Sequence, residues 1–103
     1  MQEFKGTPGP WHVSNEGCML IRDDAGLSIV AKYVGYTNDE EELANARLIS
    51  AAPELLEALQ GYMSAVERMN QAMKDGVNVQ GAISALVGYE DMAHSAINKA
   101  LGK

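Results

Sequence analysis

One cysteine, two histidines, three prolines, one tryptophan and one phenylalanine in 103 residues leave little material for several kinds of chemistry. The lone Cys18 rules out an internal disulfide and suits a reducing cytosol. His12 and His94 stand apart, with no HExxH and no His/Cys cluster, so a transition-metal site lacks its ligands. No GxxxxGK[ST] and no GxGxxG occurs, which removes the known phosphate loops. Basic residues are also scarce: eight against fourteen acidic ones, scattered along the chain, for a formal charge of −6. Duplex nucleic acid needs a concentrated basic face and is not an expected partner. DNA mimicry, or one small anionic ligand held by a few local groups, remains compatible with that charge. No apolar run approaches the roughly 20 residues that span a bilayer. The opening MQEFKGTPGP has no apolar signal core. A cytoplasmic protein with no membrane partner is the expectation.

What the chain does have is an ordinary globular balance, 47% hydrophobic and 21% charged. A single domain over residues 1–103 is expected: an irregular arm (1–10), a β-meander (11–34) and a helical part (38–102). Pro8 and Pro10 bias the arm toward extended backbone. Trp11 follows at once, either pinning the arm to the core with its indole N–H on a carbonyl, or forming an aromatic wall for a ligand. Trp11–Ser14, Cys18–Arg22 and Leu27–Val34 read as strands, separated by Asn15-Glu16-Gly17 and Asp23-Asp24-Ala25-Gly26. A period of two puts Leu27, Ile29 and Tyr33 on one face of the third strand, with Val30 and Val34 opposite.

A helix is expected from about Asn38, capped by Thr37 with Glu40 or Asn38 with Glu41. Asp39–Glu42 match its dipole; consecutive acids splay around a helix and cannot all face one ion. Pro53 then either starts a second helix or kinks one long helix. From Pro53 to about Lys74, Leu55, Leu56, Leu59, Met63, Val66, Met69 and Met73 keep a three-four spacing, and Asp75-Gly76 supplies the stop. The last helix runs from about Asn78 to Leu101, with Ile83, Leu86, Met92 or Ala93, Ile97 and Leu101 along one side. The fold class is α+β: a three-stranded antiparallel meander followed by three helices, the last two a long antiparallel hairpin. Two helices of about 30 Å exceed what so small a sheet can cover. Their apolar stripes call for a second copy of the chain, a homo-oligomer of two or more.

The stretch Asn45–Leu59, NARLISAAPELLEAL, with Thr7-Pro8-Gly9-Pro10-Trp11 ahead of it, resembles small phage and prophage proteins, most of them of unassigned function. Those proteins share a NARLIAAAPELLEAL-like run and often open with TPGPW. Similar small phage proteins include inhibitors of host antiviral defence, some of which sequester cyclic nucleotide signals. The resemblance therefore implies immune evasion as a class, by binding rather than catalysis.

The residues themselves carry no enzyme signature, and no cofactor or metal is called for. A Cys18–His12 pair could meet across the first hairpin, but it has no orienting group or oxyanion motif. Glu54 and Glu57 lie one turn apart, a pattern equally found on a solvated face. Arg47 is the most informative charge. It either bridges structurally to an acidic helix start or to free carbonyls at a helix end, or it serves as an anion ligand. In the second case Asn45 and the first amides of the Pro53 helix would help it hold a small anionic nucleotide. The candidate ligand-binding residues are thus Arg47, Asn45, Trp11 and His12. The other partner class is a host or phage protein complex, blocked or adapted through the acidic surface.

Overall fold

The computed structural model describes residues 4–16, 18–24, 29–36 and 38–103. Strands β1 (Trp11–Asn15), β2 (Met19–Asp23) and β3 (Ile29–Gly35) precede helices α1 (Glu40–Ser50), α2 (Ala52–Asp75) and α3 (Val79–Leu101). The sheet is an antiparallel meander in the order β1-β2-β3, and the last two helices pack against each other as a long hairpin. The α+β reading of the sequence therefore holds. Leu27 and the Ala25-Gly26 turn lie outside the described residues.

The sheet and α1 make the compact end of the molecule. Met19 and Ile21 on β2 and Ala46 on α1 are wholly buried. Trp11, Val13, Val30, Ala31, Val34, Leu43 and Ile49 pack around them. Val13 stands opposite Ile21 in the β1–β2 register, so the two strands send one face into this core. Strand β3 departs from strict alternation. Arg22 pairs with Ile29 and Ile21 with Ala31, a slip in register, and a second slip follows before Met19 pairs with Gly35. Tyr33 sits in that second stretch at φ 57° and is 79% exposed. Ile29 and Tyr33 share the solvent face and Val30 and Val34 the core face, as the period of two groups them, while Ala31 leaves the alternation and joins the core. Each extra residue in a bulge reverses the alternation beyond it. Gly35, at φ +128°, ends the strand where a Cβ would run into the Cβ of Glu42, 2.6 Å away.

Of the two expected caps, Thr37 lies outside the described residues and Asn38 comes one residue before the observed cap. Asp39 is the N-cap, its Oδ1 accepting the Glu42 N–H at 3.0 Å, and Glu42 Oε2 accepts the Tyr36 N–H at 2.7 Å. Glu40, Glu41 and Glu42 occupy the first turn, as the dipole favours. At the other end a single residue separates α1 from α2. The Ala51 N–H bonds to the Arg47 and Leu48 carbonyls, while its own carbonyl accepts from Leu55. Proline at the start of α2 lacks the N–H that would carry α1 onward, so the chain bends there and begins a new helix.

The apolar stripes read from the sequence do not form the seam of the hairpin. Its interior is made of Ala58, Gly61, Ala65 and Ala72 on α2 facing Ala82 and Ala96 on α3. Tyr89 lies against Gly61, where a Cβ would overlap its ring. Small residues bring the axes close, and the leucines and methionines are left on the outside: Leu59 is 62% exposed and Met73 64%. The molecule is accordingly long, 57 × 26 × 17 Å, with a radius of gyration of 17.1 Å. A compact chain of this length would have about 13 Å.

Candidate functional site

The N-terminal arm, the start of α2 and the end of α3 converge on one point, and Lys99 ties them. Its ammonium donates to Glu54 Oε1 at 2.8 Å and to the Trp11 carbonyl at 2.9 Å. One side chain of α3 thereby holds α2 and β1 together. Both partners of the ion pair are about one-third exposed, 33% for Lys99 and 32% for Glu54. The second carboxylate oxygen, Glu54 Oε2, is shielded from solvent and has no hydrogen-bond partner among the described residues. A carboxylate oxygen out of water without a donor is costly, and a donor supplied from outside relieves that cost.

Two clefts border this carboxylate. One, of about 360 Å³, runs between the arm and α2 past Phe4, Gly9, Pro10, Pro53 and Gln60. The other, of about 470 Å³, lies between α2 and α3, over Met92, Ser95, Ala96 and Lys99, with Asp91 at its edge. Glu54 and Glu57 line both. The second cleft therefore has an apolar floor, three carboxylates and one ammonium already engaged. That composition suits a cation on an apolar stem, the form of an arginine or lysine side chain.

The arm forms one wall of the first cleft. The Trp11 indole donates to the Thr7 carbonyl at 3.2 Å, and its ring meets Phe4 at 6.5 Å between centroids. Gly9, in a cis bond to Pro10, lies so close on Pro53 that a Cβ there would overlap the proline ring. The two motifs that suggested a resemblance, TPGPW and the run through Pro53, are therefore in contact.

The four residues singled out from sequence are not gathered into one pocket. Trp11 is half-buried between the arm and the core, in the anchoring position. His12, next along β1, is exposed, with Nδ1 3.1 Å from Asp24 Oδ1. It pairs in register with Arg22, not with Cys18, which precedes β2, so the histidine and the thiol are not neighbours. Asn45 and Arg47 are both exposed on α1. Two positions apart, they point about 200° from one another around the helix. Arg47 lies over Gly102, the C-cap of α3: a Cβ on that glycine would be 2.8 Å from Nη1. This places the guanidinium at the negative end of the α3 dipole. The junction ahead of α2 is buried at Ser50 and Ala51, 5% and 0% exposed.

Glu54 and Lys99 were the residues passed over. Lys99 carried a signal, as the only lysine or arginine in α3. A basic group near the end of a small-residue helix reads as dipole matching, and nothing in sequence showed that it reaches β1 88 positions earlier. Among the described residues no group of three or more His, Cys, Asp or Glu could hold a metal ion, and no helix is long and apolar enough to cross a membrane.

Residues 1–103 match the model of the family described as Salmonella phage P22 protein Y8K6. No curated protein and no solved structure matches the chain.

Proposed function

We propose that this chain, which belongs to the Salmonella phage P22 protein Y8K6 family, is a phage accessory protein that acts by binding, without catalysis, and takes a basic segment of a protein partner into the cleft between α2 and α3. The observation that carries this reading is Glu54 Oε2, shielded and without a donor beside Glu57 and Asp91. An arginine entering the cleft would lay its stem on Met92 and Ala96 and pair its guanidinium with the exposed carboxylates of Glu57 and Asp91 beside Glu54. The formal charge of −6 favours encounter with a basic surface and repels an anionic one. Such a protein blocks or adapts a host or phage complex by occupying the partner's basic segment.

The second reading is sequestration of a small phosphorylated, cyclic-nucleotide-type signal, and through it inhibition of host antiviral defence. Arg47 favours it: the guanidinium is exposed and has no hydrogen bond or ion pair among the described residues. Asn45, Trp11 and His12 would have to be supplemented by groups from another molecule, since they face elsewhere.

Native mass spectrometry of the protein recovered from phage-infected cells separates the two. The expected result is a retained mass of protein size, lost in a Glu57→Lys, Asp91→Lys variant that keeps its melting temperature. A retained mass of a few hundred daltons, lost instead in Arg47→Lys, overturns the protein-partner reading in favour of the nucleotide.

A further inference from the structure

The hairpin carries its large apolar residues on one flank. At about 100° per residue, Leu55, Leu59, Tyr62, Val66 and Met73 fall on the same side of α2, roughly a quarter turn from the alanine line that meets α3. On α3, Val79, Ile83, Leu86, Ile97 and Leu101 are likewise displaced from Ala82 and Ala96. The two stripes are on the same flank, because Leu55, Leu59 and Tyr62 share one hollow of about 340 Å³ with Ala93 and Ile97. The opposite flank is polar, with Arg68, Gln71 and Asp75 on α2 near its end. Leu59 (62% exposed), Met73 (64%), Ile97 (47%) and Leu101 (59%) thus stand in water along nearly the whole hairpin. The sheet packs mainly on α1 and does not reach them.

We infer that this flank is covered by the same flank of a second copy, so that two hairpins form a four-helix bundle with the small-residue seams inside each protomer and the large apolar residues between protomers. Three observations select a second copy as the occupant. The first is area. Helix α3 has 23 residues, about 34 Å, and two helices of about 10 Å width give a face of about 700 Å². A standard stable interface takes about 800 Å² from each partner, so a self-complementary face of this size is sufficient. The second is the hairpin's own interior. Its fully buried positions are alanines and one glycine, while Leu55, Val66 and Leu86 are half-buried and Leu59, Met73, Ile97 and Leu101 stay largely exposed in the isolated chain. The third is charge. Within the stripe the only acid and histidine are Glu90 and His94, 3.9 Å apart, and no lysine or arginine is present. Neither a basic nor a strongly acidic partner finds a counter-charge there, whereas an identical stripe matches it in length and polarity. The cleft on the other side of the hairpin stays open in this assembly, so the inference does not depend on what that cleft binds.

The test is sedimentation of the wild-type chain at micromolar concentration, with Leu59→Glu, Ile97→Glu and, on the polar flank, Arg68→Glu. The expected result is a dimer for wild type and Arg68→Glu, and a dimer weakened about 100-fold or more for the other two, since each places a carboxylate in a dry interface. Because a charge on this flank could also disturb the fold, a mixture of isotope-labelled and unlabelled wild-type protein is examined by filtered NOE spectroscopy. Intermolecular contacts at the Leu59, Ile97 and Met73 methyls are expected. A monomeric wild type, an assembly of more than two, or intermolecular contacts confined to other surfaces overturns the inference.

Discussion

Replacing Lys99 with methionine keeps the length of the side chain and removes only its charge and donors. In the wild type that ammonium makes two bonds, to Glu54 Oε1 at 2.8 Å and to the Trp11 carbonyl at 2.9 Å. Glu54 Oε2 already has no partner, so Lys99→Met leaves the whole carboxylate without one. Charge-assisted bonds contribute about 1.5–3 kcal/mol each. With both side chains about one-third exposed, water recovers part of that loss, and the expected net cost is about 2–3 kcal/mol. For a chain of this length such a loss lowers the melting temperature by about 10–20 °C. Urea unfolding followed by Trp11 fluorescence measures it, at one fixed protein concentration so that self-association does not enter the comparison. The double variant Lys99→Met, Glu54→Leu separates a lost attraction from a stranded charge. It should regain most of the stability, to within about 1 kcal/mol of wild type, because no uncompensated carboxylate remains. A Lys99→Met protein within about 0.5 kcal/mol of wild type would refute the reasoning and make the bridge an ordinary solvated pair.

Three further outcomes are expected. Trp11→Ala should destabilise by about 2–3 kcal/mol, below the range for a fully buried tryptophan because Trp11 is half-buried, and should increase proteolysis within residues 4–10; unchanged stability with lost partner binding would make it a ligand wall. Gly61→Ala gains about 1 kcal/mol of helix propensity but drives a Cβ into the Tyr89 ring, so a net loss of about 0–2 kcal/mol by calorimetry is expected, turning to a gain when combined with Tyr89→Ala. Arg22 bonds Glu16 through Nε at 2.7 Å and, with help from Ser14, holds its carboxyl below the usual carboxylate range. That stabilisation is present above the unfolded-state pKa and is lost as pH falls through the lowered folded-state value; a carboxyl NMR titration should show Glu16 moving upward in Arg22→Gln.

The element types and their order were legible because each rests on local physics: short apolar runs set apart by turn-forming residues in the sheet, the acidic start of α1, proline at the start of α2 and Gly76 in the left-handed C-cap that ends it. The facing of β3 was not, because the bulges around Tyr33 are set by pairing with β2 and leave no pattern in the strand itself. The hairpin seam was half legible. The leucine and methionine stripes were legible as faces too long for the sheet to cover, and Leu59 and Met73 are exposed, but the alanine seam that joins the two helices was not part of that pattern. Hydrophobic spacing identifies a face but not what covers it. The Glu54–Lys99 junction stayed hidden because its three parts lie 45 and 88 residues apart. Arg47 was read as two alternatives, a structural bridge or an anion ligand, and its place over Gly102 decides neither.

Whether the cleft between α2 and α3 holds a basic protein segment can be asked most directly with a photo-crosslinking residue at Ser95, irradiated in phage-infected cells beside the same residue placed at Arg68. The expected result is an adduct of protein size from Ser95 alone, joined through a lysine- or arginine-containing peptide and lost when Glu57 and Asp91 are changed to lysine. Equal adducts from both positions, or none from Ser95 while the protein retains a nucleotide-sized mass, would contradict it.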